Sequence, residues 1–236
     1  MDKYCFGVDL GGTTVKIGLF SIEGQLQDKW EIPTRTENHG AEILSDIAAS
    51  IQRRMDTGHL SKEQVTGIGI GVPGPVLNEN IVQGCVNLGW GNVRVADELS
   101  ALTGLKVKAA NDANVAALGE QWQGGGKGFQ NLVMFTLGTG VGGGIIQNGR
   151  IISGANGAAG EIGHMVIVDS DEVVGTCGCG HRGCLEQVAS ATGIVNLTEK
   201  KLAECSQDSV LRDISPLTAK DVLDAAKAGD ALAEQA

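Results

Sequence analysis

Cys177, Cys179 and Cys184 fall within one short stretch, CGCGHRGCLE, with glycines between them and Glu186 two residues after the last. Thiols at this density are metal ligands, a disulfide, or small residues in a turn. A bond between Cys177 and Cys179 would close a strained ring and leave Cys184 over. Zinc suits the pattern better, because a structural site takes four soft ligands converging tetrahedrally. Two histidines could supply the fourth ligand. His181 lies inside the loop, where its side chain more easily points to solvent. His164 comes from an earlier segment, EIGHMVIV, and would cross-link two pieces of chain. Cys5, Cys85 and Cys205 are scattered singly and read as small buried hydrophobes.

Around this segment stand Glu161, His164 and Glu186. Glutamates usually occupy solvated faces, but paired carboxylates with an imidazole also read the hydroxyls of a polyol. A histidine that binds zinc through one ring nitrogen keeps the other for a ligand. The zinc would then orient the groups that grip a hydroxylated substrate. Two glycine turns, DLGGTT and LGTGVGGG, offer phosphate cradles. Each is followed by strand-like sequence rather than a helix, so neither is a Walker or Rossmann loop. A hairpin turn can still converge backbone N–H groups on phosphate, with Thr13, Thr14 or Thr139 adding a hydroxyl. Taken singly, either turn is equally an ordinary hairpin. Asp9 beside the first turn suits Mg²⁺, which takes few protein ligands. Asn111 and Asp112 stand where a strand hands over to a helix; both are good N-caps, and Asp112 could also accept a proton from a substrate hydroxyl while Asn111 holds the substrate.

These residues need elements to position them. Val15, Ile17 and Leu19 alternate with Lys16 and Gly18 at strand period. Ile43, Leu44, Ile47, Ala48, Ile51 and Met55 recur at helical spacing, with Gly58 past the end. TGIGIGVPGPV predicts a buried strand running into a turn, NVRVADELSALTG a helix capped by Asn92 and ended by Gly104, and KVKAA a strand leading straight into the helix NDANVAALGEQW. NLVMFTLGTGVGGGIIQNGRII repeats the opening grammar of strand, glycine turn, strand, turn, strand, which predicts a duplicated two-domain fold. ASATGIVNLTEKKLAE and TAKDVLDAAKAGDALAEQA read as helices, the second opening on a Thr218–Asp221 capping box.

The chain carries 18 basic and 28 acidic residues, a net charge of −10, with no basic cluster. Nucleic-acid and anionic-membrane partners are therefore not expected. No stretch reads as a signal peptide or membrane span, so the expected compartment is the reducing cytoplasm, where cysteines stay thiols or bind metal. The 36 glycines, about twice the ordinary frequency, fit a fold of tight turns and backbone-lined sites.

On VDLGGTTVKIGLF, KAANDANVAALGE, FTLGTGVGGGII and GEIGHMVIVDSDEVVGTCGCGHRGCLE, the sequence resembles the ROK sugar kinases, and within them the bacterial glucokinases. A His followed by CxCGxxGCxE is the specific part of that likeness. The resemblance implies an α/β, actin-like (ribonuclease-H-like) duplicated fold: residues 1–115 as a smaller domain with the first phosphate loop, and 116–236 as a larger one with the second phosphate loop and a structural zinc site. It also implies transfer of the γ-phosphoryl of ATP, with Mg²⁺, to a hexose, first glucose at its 6-hydroxyl. N-acetylmannosamine, allose or fructose kinases and sugar-sensing regulators share the scaffold. Asp112 would be the base; Asn87, Asn111, Glu161, His164 and Glu186 would contact the sugar. Gly11, Gly12, Thr13, Thr139 and Gly140 would hold phosphates, and His164, Cys177, Cys179 and Cys184 zinc. Relatives carry Lys where Thr14 stands, and continue into a further helix and a glycine-rich adenosine segment, so the chain is expected to be C-terminally truncated. The family's habit implies a homodimer.

Overall fold

The structure, a computed structural model, describes residues 3–235. Strands β1 (Tyr4–Leu10), β2 (Thr14–Ser21) and β3 (Leu26–Pro33) pair antiparallel in sequence. Phe6, Val8, Leu10, Val15, Ile17 and Leu19 are buried on one face, while Asp9 and Lys16, opposite one another across the ladder, are exposed. A single turn, α1 (Glu37–Gly40), carries left-handed Asn38 and His39 and leads to α2 (Ile43–Thr57), which buries the six apolar residues of its stripe. β4 (Val65–Val72) then pairs parallel to β1.

Three short strands follow as a sheet of their own: β5 (Val76–Leu77), β6 (Ile81–Cys85) and β7 (Trp90–Arg94). The expected cap at Asn92 does not form. Asn92 pairs with Gln83 in the β6–β7 ladder, and the helix α3 (Val95–Thr103) begins after Arg94. Cross-strand pairing outweighs the local capping preference there. Gly104 ends α3 as expected, at φ 70°. β8 (Val107–Asn111) pairs parallel to β4 and passes directly into α4 (Asp112–Gln123), completing the sheet order β3-β2-β1-β4-β8. Its core lies between one sheet face and α2 and α3, with Ile47, Ile51, Val72, Val95 and Leu99 wholly enclosed.

β9 (Leu132–Leu137), β10 (Val141–Gln147) and β11 (Arg150–Ile151) form a third sheet in the order β11-β10-β9, the same connectivity as β3-β2-β1. Asn148 and Gly149, both at positive φ, make the turn between the last two. The chain divides into two compact units, one running to Val133 and taking in Gly144–Gly160, the other Met134–Gly143 and the residues from Glu161 onward. The boundary expected between residues 115 and 116 falls inside α4, which stays in the first unit with β8.

The second unit holds α5 (Leu185–Ala189), α6 (Ala191–Glu204) and α7 (Ala219–Lys227). Leu211, Val222, Ala225 and Ala233 form its core with Ile194 and Leu202 packed against them. The Thr218–Asp221 capping box is present, but α7 stops at Lys227 because Gly229 turns the chain at φ 88°. Among the described residues no helix is long and apolar enough to cross a membrane.

Candidate active site

In the first unit the β1–β2 turn is tied down from the end of β3. The Thr34 hydroxyl donates to the Gly11 carbonyl at 2.7 Å and the Thr34 amide donates to the Thr13 carbonyl at 2.9 Å. Gly11 N–H closes the turn on the Thr14 carbonyl at 3.0 Å. Gly12 and Thr13 are left exposed, with Asn87 beside them: a Cβ on Gly12 would lie 3.9 Å from that of Asn87. Asn87 itself sits in a tight turn, Val86–Leu88, closed by left-handed Gly89.

Asn111 and Asp112 occupy the corner where β8 becomes α4. The nearly buried Asn111 is the cap: its Oδ1 accepts from Asn114 N–H at 3.2 Å, and its Nδ2 donates to the Gly74 carbonyl at 3.3 Å. Capping by Asn111 leaves Asp112 as the first helical residue, with Oδ1 accepting from Ala113 N–H at 2.8 Å. Its side chain reaches solvent on one side, yet the protein packed around the rest pushes its pKa up. The Ala113 N–H bond opposes this, and the neighbouring charge of Asp9 adds to it. Gly71 of β4 allows the corner to pack closely, since a Cβ there would touch the Asp112 backbone at 3.6 Å.

In the second unit four donor atoms converge. Cys177, Cys179 and Cys184 and an imidazole nitrogen of His164 all lie within 4.8 Å of one another. Cys177 Sγ is 3.3 Å from His164 Nδ1, and Cys179 Sγ is 3.6 Å from Cys184 Sγ. A tetrahedral zinc with bonds of about 2.3 Å sets its sulfurs about 3.8 Å apart, so the donor set fits such an ion. The His164 ring turns Nδ1 inward and Nε2 toward Glu161, 3.6 Å from its Oε2. His181 is exposed, and its Nδ1 lies 3.5 Å from Cys179 Sγ. Burial raises the Cys177 thiol to about 12, while the His181 backbone amide first of all holds Cys179 down to about 6. A cation among the sulfurs would remove the protons that burial retains.

The second glycine turn is built against this cluster. Val141 N–H donates to Glu186 Oε2 at 3.1 Å, and Ala191 N–H, at the start of α6, donates to the Gly138 carbonyl at 2.8 Å. A side chain on Gly140 would overlap the Glu186 carboxylate, and one on Gly163 would overlap the Val141 carbonyl. Neither glycine stands at positive φ among those that do, so here the residue type supplies space rather than a left-handed backbone. Thr139 remains exposed at the tip.

Asp9, the Gly11–Thr14 turn, Asn87, Asn111 and Asp112 thus gather in the first unit. Thr139, Gly140, Glu161, His164, Glu186 and the three cysteines gather in the second. The sequence reading missed Thr34, Val141, Gly163 and Ala191. Apart from the Thr34 hydroxyl, their contribution is a main-chain bond or a lack of bulk, and neither carries a signature along the chain. Thr34, immediately after a strand and Pro33, was the one such residue whose turn chemistry could have drawn notice.

A family model described as the ROK family matches residues 5–236. The chain belongs to the ROK family. A glucokinase from Halalkalibacterium halodurans is 45% identical over 236 residues, covering 98% of this chain and 71% of the relative. A ROK hexokinase from Thermus thermophilus superposes with a TM-score of 0.77 at 29% identity, over 100% of this chain and 72% of that one. A ROK glucokinase from Streptomyces griseus, solved with glucose and AMPPNP, gives 0.69 at 31% identity, over 98% and 73%. Its two units accordingly have the actin-like fold of the ROK sugar kinases.

Proposed function

We propose that this ROK protein is an ATP-dependent glucokinase that converts glucose to glucose 6-phosphate. The likeness to glucokinases supports the substrate. The observation that carries the reaction is Asp112: a carboxylate at a strand-to-helix corner, anchored by its own helix start, with its pKa raised by burial and by Asp9. In this reading the Asp112 carboxylate accepts the proton of the sugar 6-hydroxyl. That oxygen forms a bond to the γ-phosphorus as the bond from γ-phosphorus to the β,γ-bridging oxygen breaks, and ADP leaves. In the first unit Asn87 and Asn111, and in the second Glu161, His164 and Glu186, are the residues offered as sugar contacts. The Gly11–Thr14 turn of the first unit and the Thr139–Gly140 turn of the second would each offer groups to phosphate oxygens, and Asp9 would serve the Mg²⁺ that accompanies ATP.

His164, Cys177, Cys179 and Cys184 would hold a structural zinc ion, which supplies rigidity to the loop rather than chemistry. The reading includes a cytoplasmic homodimer, which fluorescent tagging in cells and sedimentation would test. Calorimetric titration with glucose, mannose, N-acetylmannosamine and fructose tests the substrate assignment: glucose binds in preference to the other three. Preference for N-acetylmannosamine or fructose would move the chain to that kinase class, and binding of none would sink the hexose reading.

A further inference from the structure

Val141 lies between two neighbours of the cysteine–histidine cluster. Its N–H donates to Glu186, two residues after Cys184, and its carbonyl comes so close to Gly163, next to His164, that a side chain at 163 would overlap it. Glu186 is itself held firmly. Cys184 is wholly buried, and Gln187 Oε1 accepts from Gly183 N–H at 2.9 Å and Cys184 N–H at 3.3 Å. Gln187 Nε2 donates onward to the Val174 carbonyl at 3.2 Å, which ties the start of α5 to the segment before the cysteines. The second carboxylate oxygen of Glu186 lies 3.6 Å from Cys177 Sγ. One oxygen is thus engaged on the glycine turn, and the other faces the cysteine loop.

We infer that Glu186 is a positioning residue that fixes the Gly138–Val141 turn to the cysteine loop, so that occupancy of the metal cluster governs nucleotide affinity. The link to affinity rests on the reading that this turn holds phosphate. A turn of two glycines and a threonine has many backbone states, and an amide that must point at an anion gains from being held in one of them. Glu186 does this through a charge-assisted bond. When the metal leaves, His164 and Cys184 lose their common anchor, and the two groups beside Val141 are no longer held in register. A residue acting only as a sugar contact would leave the turn and nucleotide affinity unchanged.

The test compares wild type, Glu186→Gln and Glu186→Ala, each metal-loaded and metal-stripped, by hydrogen exchange at the Val141 amide and by titration with AMPPNP. In loaded wild type the amide is protected. Glu186→Gln keeps an oxygen in the same place but loses the charge, and so loses less protection and affinity than Glu186→Ala. Glu186→Ala loses about tenfold in both, the scale of one bond to a charged acceptor. Stripping wild type produces a comparable loss, and stripping Glu186→Ala adds little, the non-additivity expected of one linked device. Metal content is measured throughout; should Glu186→Ala lose its metal, Glu186→Asp, which withdraws the carboxylate by one carbon, replaces it. Equal Val141 protection in wild type and Glu186→Ala overturns the inference, as does a stripping effect of the same size in both. Loaded wild type that protects Val141 yet fails to bind AMPPNP overturns the phosphate reading of the turn and the link to affinity with it, while the exchange comparison still decides whether Glu186 holds the turn.

Discussion

A carboxyl that burial and a neighbouring charge push upward holds its proton to higher pH, and only its ionised form can take a proton from a hydroxyl. For Asp112 the acid limb of kcat/KM should therefore lie above the ordinary aspartate value of 3.8. Asp9→Asn removes a raising charge, so Asp112 should titrate lower in that variant. Carboxyl carbon-13 NMR reads this without any turnover, and an unmoved titration would contradict the electrostatic account. The same shift has a consequence for stability. A carboxyl with a folded-state pKa above its unfolded value binds its proton more tightly in the folded chain, so its contribution is most favourable below the unfolded value and is lost as pH rises through the folded one. Asp112→Asn should thus melt above wild type at pH 7, with the gap narrowing toward acid. Its kcat/KM should fall by about 10²–10⁴. A variant that keeps more than a few per cent of wild-type turnover would remove Asp112 from the role of base.

The elements that carry these residues were legible to differing degrees. Periods of two and 3.6 located β2 and α2, because each presents one unbroken apolar face to the core. Gly104 and the Thr218–Asp221 box marked helix ends correctly, being contests settled within four residues. Asn92 misled because a partner strand, distant in kind if not in sequence, claimed it. The cysteine cluster and its His164 partner were readable from donor chemistry, whereas the Val141–Glu186 bond joins residues 45 positions apart through a main-chain N–H and left no trace in the sequence. Packing predicts its own outcome at this scale. Ile47 of α2 is fully enclosed, so Ile47→Ala should destabilise the first unit by about 2–5 kcal/mol. Urea denaturation measures this, and the metal content should be unchanged. A loss below 1 kcal/mol would mean that the helix is not packed as described.

Each unit has its own core, and each has its own means of stiffening, an apolar layer between sheet and helices in the first and a convergent cluster of His164 and three cysteines, able to hold a metal, in the second. Chelation at pH 7 should lower the melting temperature and speed exchange through residues 161–190, while α2 exchanges as before; uniform loosening of both units would contradict that division. Since thiols must lose protons to bind metal, metal affinity should fall as pH falls. The most direct measurement of phosphoryl transfer is incubation of the metal-loaded chain with γ-labelled ATP, Mg²⁺ and glucose, with identification of the product by NMR. The expected result is glucose 6-phosphate, formed by wild type and nearly abolished in Asp112→Asn. Failure of a folded chain that binds both glucose and AMPPNP to label any hexose, or equal labelling by Asp112→Asn, would contradict the account.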